Sequence, residues 1–185
     1  WDLESCAGEV SYTAAYAQER RHLDPEVGRL KVATLRRWLE AVGVSARGQV
    51  VCEVGFGGGH CLADLAGVAD EVLGIEVVPE NLRHAASLGV PASRLYLFDE
   101  RPKSTPRPVS LWIFQDSLEH ILEPDPFLAW VGANSSQDAR LLVVAPDASS
   151  RSQRWLGRLW PHRVPDHLFQ WSAAGMVALL GRHDF

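Results

Sequence analysis

The stretch Val50-Val51-Cys52-Glu53-Val54-Gly55-Phe56-Gly57-Gly58-Gly59-His60 decides how this chain is read. An apolar strand pattern runs into a carboxylate and then into glycines, and a helical pattern follows. Glycines at such a place let the backbone turn tightly and approach a bound molecule, because no Cβ stands in the way. A strand that ends this way and feeds a helix is the cofactor corner of an open α/β sheet. Glu53 narrows the cofactor. A dinucleotide pyrophosphate is held by backbone N–H groups at the helix start, where a carboxylate would repel it. A cofactor with an ammonium group suits that carboxylate. The spacing agrees, since the dinucleotide fingerprint requires a third glycine at position 60 and this chain has His60 there. Twenty-one residues beyond Gly55 lies Glu76, at the end of the next apolar run, where a carboxylate can accept from both ribose hydroxyls.

Outward from this corner the pattern alternates in the βαβα manner. Strand-like runs cover 49–54, 71–75, 95–98, 109–114 and 140–145, and helix-like runs cover 61–66, 79–88 and 126–133. Strands this apolar on both faces suit an open, doubly wound, mostly parallel sheet between helices. Asp125 before Pro126 reads as an N-cap and first helical position. Residues 101–108 hold three prolines and no helical pattern, which predicts a loop. Upstream, Val27, Leu30, Lys31, Thr34, Leu35, Trp38, Leu39 and Val42 trace an amphipathic helix that Asp24-Pro25 would start and Gly43 would stop. The segment holding Tyr12, Tyr16 and residues 18–21 is expected to be helical too. Residues 1–45 then form an N-terminal helical cap on an α/β domain of residues 46–185, within one compact unit. Residues 146–165 are polar, basic and rich in tryptophan, the character of a lid or binding loop, until Ser172 caps a last helix of about ten residues.

At 185 residues, with 46% hydrophobic and 22% charged residues, the composition is that of one folded domain. The net charge of -5 argues against a general nucleic-acid binder, and the cluster Arg151, Arg154, Arg158 and Arg163 reads as a solvated face. No apolar run is long enough for a membrane span, and the expected location is the cytoplasm. Cys6, Cys52 and Cys61 lack metal-ligand spacing and read as reduced, structural residues. Asp116, Asp147 and His120 are too loosely spaced to define a metal site, and none is expected.

Glu53 through Gly59, followed by Gly74-Ile75-Glu76-Val77-Val78-Pro79-Glu80-Asn81, resembles the first two motifs of class I S-adenosylmethionine-dependent methyltransferases. Leu118-Glu119-His120-Ile121 with Asp125-Pro126, the run from Val143 to Asp147, and the run from His167 to Ser172 resemble the small-molecule branch that includes ubiquinone-biosynthesis O-methyltransferases. The likeness covers about residues 30 to 185 and implies roles. Glu53 would orient the methionine ammonium of S-adenosylmethionine. Gly55, Phe56, Gly57 and Gly59 would lie along the cofactor, and Glu76 would hold its ribose. Val77 and Val78 would touch adenine, and Asp99 would stand near the adenine amino group. Gln115 and Asp116, at the end of the fourth strand, would sit beside the sulfonium and the incoming nucleophile.

Methyl transfer is an in-line displacement helped mainly by placement and exclusion of water. A general base is needed when the acceptor is a protonated phenol or alcohol, and the candidates are Asp116, His120 and His167. His162 and His167, in the lid-like segment, are candidate substrate contacts. Trp112, Trp155, Trp160 and Trp171 suggest an apolar small-molecule acceptor. The resemblance implies a seven-stranded sheet, of which the last two strands have no counterpart here. A homodimer or a further C-terminal piece is the expected remedy for the edge left at 140–145. Two other functions remain open at this level: a methyltransferase-like scaffold subunit without catalysis, and a nicotinamide-dependent oxidoreductase.

Overall fold

A computed structural model of the chain describes residues 22–164 and 167–185. The expected helix around Tyr12 and Tyr16, and Cys6, lie outside the described residues. Helix α1 (Pro25–Ala41) is followed by β1 (Val50–Val54), α2 (His60–Ala66), β2 (Glu71–Glu76), α3 (Pro79–Ser87), β3 (Leu95–Leu97) and β4 (Val109–Gln115). Helix α4 (Pro124–Ala133), β5 (Ser135–Val144), α5 (Arg151–Leu156) and α6 (Ala173–Gly181) complete the order. The strands form one parallel sheet in the order β3-β2-β1-β4-β5. Strand order therefore reverses between β1 and β4, and a ligand is expected outside their carboxyl ends.

Alternation along the strands divides the core into two layers. Val51, Val72, Leu111 and Ile113 face α1, α2 and α3, where Leu35, Leu39, Leu62, Leu65 and Ala85 pack on them. Cys52, Val54, Leu73, Ile75, Trp112 and Phe114 face the opposite side, where Phe127 and Val131 of α4 are buried and Met176 of α6 is half-buried. Helix α1 begins as the sequence predicts, with the Asp24 carboxylate accepting from the N–H groups of Glu26 and Val27 at 2.8 and 3.4 Å. Its apolar stripe is narrower than expected: Leu35 and Leu39 are buried, while Leu30 and Val42 are 69% and 57% exposed.

Three local expectations change. Helix α4 starts at Pro124, and Asp125 does not cap it; its carboxylate instead takes Arg182 Nη2 at 2.9 Å and His183 Nε2 at 2.9 Å. Arg182 and His183 hold the Asp125 carboxyl below its ordinary range, tying the end of α6 to the start of α4. Strand β5 begins at Ser135 rather than at 140, because Val109 pairs with Ser135 and Leu111 with Arg140, leaving a bulge opposite Ser110. Polar Ser135-Ser136-Gln137-Asp138 has no strand signature, but an outer strand tolerates it. Strand β5 pairs only with β4 among the described residues; beyond it in the chain, Trp155 is 87% exposed and Trp160 is buried.

The connection from β3 to β4 is the loop predicted for 101–108. It is fastened by side chains: Trp130 Nε1 donates to the Pro102 and Lys103 carbonyls at 3.0 and 3.2 Å, and Thr105 N donates to Asn134 Oδ1 at 2.6 Å. The Arg101 guanidinium lies 4.6 Å from the Phe98 ring centroid, 5.1 Å from Phe127 and 5.4 Å from Trp130.

Candidate functional site

At the carboxyl ends of β1, β2 and β4 lies a cavity of about 500 Å³. Its lining includes Lys31, Gly55, Gly57, Glu76, Val77, Phe98, Gln115, Asp116, Ser117, His120, Ile121, Pro146, His162 and His167. The volume is in the usual range of small-molecule sites.

The glycine loop is shaped by backbone conformations that side chains disfavour. Gly55 and Gly57 have φ of 72° and 55°. A Cβ on Gly55 would come within 2.5 Å of Ser117 Cβ, so β1 and the turn after β4 are in contact there through the missing side chain. Glu76 holds the loop in place. Gly57 N donates to Glu76 Oε2 at 2.6 Å, while Val77 N and Val78 N donate to Oε1 at 2.7 and 3.2 Å. Burial raises the Glu76 carboxyl above its ordinary value, and those three N–H groups and Asn81 oppose the rise. Glu76 lines the cavity and Oε2 keeps acceptor capacity toward it.

Glu53 is 3% exposed and faces a narrow crevice beside the cavity with Lys31, Cys61 and Gln115. Burial pushes its carboxyl up to about 8; Lys31 lowers it and Glu76 adds to the rise. Its buried Oε2 has no hydrogen-bond partner among the described residues. A buried carboxylate oxygen without a donor is costly, and a ligand ammonium offsets that cost. The residues thus fit an amino-acid-bearing cofactor.

Packing accounts for two residues of the glycine loop, Phe56 and Gly59, although Phe56 also lines the narrow crevice beside Glu53. The Phe56 ring is in the core with Leu62 and Cys61, and a Cβ on Gly74 would come within 2.7 Å of it. Gly59, with φ 77°, precedes α2; a Cβ there would meet the Ala85 side chain and come within 2.9 Å of Ala85 Cα. Gly59 therefore permits α2 to close on α3 and does not line the cavity. Asp99 is exposed on a 3-10 turn, Phe98–Glu100, and the cavity wall at that point is its neighbour Phe98. Val77 and Gln115 line the cavity.

Lys31, Phe98, Ser117 and Pro146 line the cavity although sequence reasoning gave them no role there. For Lys31 a signal was present, a cation on the apolar stripe of α1. Ser117 Oγ is buried without a hydrogen-bond partner among the described residues, which sets a second polar atom beside Gly55.

The other end of the cavity is built differently. Asp116, the residue after β4, has a left-handed conformation, φ 51°, with its N–H on the Val144 carbonyl at 2.9 Å. A non-glycine residue in that region marks a constrained position, frequently at a functional site. A 3-10 turn, Leu118–His120, follows. His120 and His167 meet edge to face with centroids 4.9 Å apart, and Phe169 N donates to the Glu119 carbonyl at 3.1 Å. The lid-like segment is tied down again where Ala148 N donates to the Trp171 carbonyl at 2.8 Å, and Ser172 caps α6 as predicted. None of the four tryptophans proposed for the acceptor lines the cavity: Trp112 is fully buried within the core and Trp155 is 87% exposed.

Fold and cavity together define a class: a doubly wound α/β domain with a glycine-loop site for a small cofactor bearing a cationic head. The chain belongs to the methyltransferase domain family, whose model matches residues 18–185, and with it to the class I S-adenosylmethionine-dependent superfamily. Its fold is similar to that of the YcgJ protein from Bacillus subtilis, at a TM-score of 0.63 and 20% identity over 80% of this chain and 68% of that one. It is also similar to the Haloferax volcanii methyltransferase solved with the Trm112 activator, at 0.67 and 16% over 91% and 74%. Magnesium protoporphyrin IX methyltransferase from Synechocystis, solved with S-adenosylhomocysteine, matches at 0.58 and 20% over 88% and 75%. No curated protein matches the sequence. Among the described residues no helix is long and apolar enough to cross a membrane.

Proposed function

We propose that this methyltransferase moves the methyl group of S-adenosylmethionine to an oxygen or nitrogen of a small molecule, in the manner of the branch its later motifs resemble. The observation that carries the reading is a single cavity in which Gly55, Gly57 and Glu76 stand at one end and Asp116, His120, His162 and His167 at the other. The bound donor supplies a methyl on a sulfonium: an acceptor X–H becomes X–CH3, the thioether product leaves, and the acceptor's proton goes to a base or to water.

The chain's own residues divide the work. Glu53, with its buried free oxygen, takes the ammonium, and Lys31 beside it attracts the carboxylate of the same amino acid. Glu76 accepts from the ribose with the capacity its backbone donors leave. Val77 and Phe98 offer apolar surface to adenine. Gln115 and Asp116 border the reacting atoms, where the Asp116 carboxylate can accept the acceptor's proton. Ile121, Leu122 and Pro146 provide apolar surface that excludes water at that end.

Calorimetric titration with S-adenosylmethionine and S-adenosylhomocysteine, followed by an acceptor screen for released S-adenosylhomocysteine, tests this. Saturable binding of both and turnover on a low-molecular-weight acceptor are expected. Absence of binding by either compound would overturn it, and tryptophan quenching by NADH alone would favour the dinucleotide reading.

A further inference from the structure

We propose that Glu119, His120 and His167 form a site for one divalent transition-metal ion at the acceptor end of the cavity. One side-chain donor atom from each lies within 4.8 Å of the others. An ion at the centre of such a triangle sits at most about 2.8 Å from each donor, against about 2.0–2.2 Å in a formed site. Small rotations of three side chains close that gap.

The placement is not a chance meeting on one floppy loop. Glu119 and His120 are fixed by the 3-10 turn that ends β4, and His167 arrives from a segment more than forty residues later. The bond from Phe169 N to the Glu119 carbonyl, 3.1 Å, clamps the second segment onto the first two residues from His167. The His120 and His167 rings stand at 81° to one another, so that each can turn a nitrogen to a common point. Glu119 is 1% exposed, so its carboxyl meets the two histidines inside the fold.

Donor chemistry selects the ion. Two imidazoles and one carboxylate suit Zn²⁺, Co²⁺ or Fe²⁺ and are poor for Mg²⁺ or Ca²⁺, which prefer oxygen. Three protein ligands leave coordination positions open, the pattern of catalytic rather than structural zinc. His120 and His167 both line the cavity, so the open positions face the acceptor.

On the methyl-transfer reading, on which only the ion's role rests, the ion takes a lone pair of an acceptor hydroxyl. The O–H bond then breaks more readily and its proton passes to Asp116 or water. The oxygen next forms its bond to the methyl carbon as the carbon–sulfur bond breaks, with that electron pair left on sulfur. The ion changes no oxidation state.

The full chain, freed of metal with a chelator, is titrated with Co²⁺ while its visible absorption is recorded. A one-to-one complex with imidazole–carboxylate d–d bands, displaced by Zn²⁺, is expected. His120→Gln and His167→Gln should each weaken Co²⁺ at least tenfold while leaving the thermal unfolding transition in place. His167→Gln, on the surface segment, is the variant least able to disturb folding. No saturable Co²⁺ site, or one that both variants retain, would overturn the proposal. The Co²⁺ spectrum does not depend on donor binding, so failure of the methyl-transfer reading and failure of the metal site are told apart by the two titrations.

Discussion

The two ends of the cavity are made of different material. The donor end consists of strand termini and glycines whose N–H groups are used within the protein, with Glu76 and Glu53 at 5% and 3% exposure. The acceptor end consists of a 3-10 turn and an irregular segment after β5, held by a few backbone bonds and carrying exposed Leu122 and Leu168 at 73% and 44%. A rigid end suits a partner that never changes, and a loosely fastened end can be reshaped without cost to the sheet. On the proposed reading, donor recognition belongs to the fold and acceptor choice to the attachments to it.

The harshest way to probe that contrast is Gly59→Ala. The new Cβ meets Ala85 backbone at a left-handed position, and unfolding free energy should fall by about 3 kcal/mol in a denaturant titration. Gly57→Ala, with only ordinary contact to His22 at 3.6 Å and beyond, should cost about 1 kcal/mol. Equal stability of the two variants would mean that Gly59 belongs to the site and not to the packing.

Glu53→Gln comes next. Its carboxyl sits at about 8 in the fold against an ordinary 4.5, so between those values the folded form holds a proton that the unfolded chain lacks. Stability of the donor-free protein therefore falls as pH rises from 4.5 to 8, and the variant should lack this fall. An ammonium bound there favours the carboxylate, so donor affinity should rise with pH up to about 8 and proton release should be visible by calorimetry in two buffers. At pH 8 the variant should bind the donor about tenfold or more weakly. A pH-independent affinity in the parent protein would remove Glu53 from the ammonium site.

A smaller effect separates neighbours on one turn. Phe98→Ala should weaken S-adenosylhomocysteine several-fold by equilibrium titration, whereas Asp99→Ala should change it less than about twofold. The reverse order would restore Asp99 to the adenine end. The smallest effect belongs to Trp155→Ser: with that ring 87% exposed, unfolding free energy should move by less than about 0.5 kcal/mol. A larger loss would show that α5 packs on another surface in solution.

What the sequence makes legible follows the same division. Glu53, Gly55, Gly57 and Glu76 can be found from one dimension because strand, turn and helix are consecutive and their spacing is dictated by the backbone. Gly59 and Phe56 belong to the same motif, yet their use is decided by α3 and Gly74, which no spacing reports. Phe98 and Asp99 differ only in which way a three-residue turn points. At the acceptor end, Glu119 and His120 meet His167 across a long sequence separation through one backbone bond. Lone histidines in irregular segments carry no periodicity, so nothing short of the fold brings them together. The first half of β5 was hidden for another reason, since an outer strand with a bulge does not need alternating apolar residues.

The crossover between β3 and β4 has a consequence for how the donor end comes into being. A helix there would order itself by local bonds; residues 101–108 instead borrow theirs from Trp130 and Asn134, which the chain reaches only later. Phe98, whose ring also packs 5.0 Å from Phe127, waits for the same partners. The cavity wall at Phe98 is thus completed from the carboxyl-terminal side of the chain. In hydrogen exchange, the Thr105 amide should open together with α4 and not with β3, and a bound nucleoside should protect α4, a helix it does not touch.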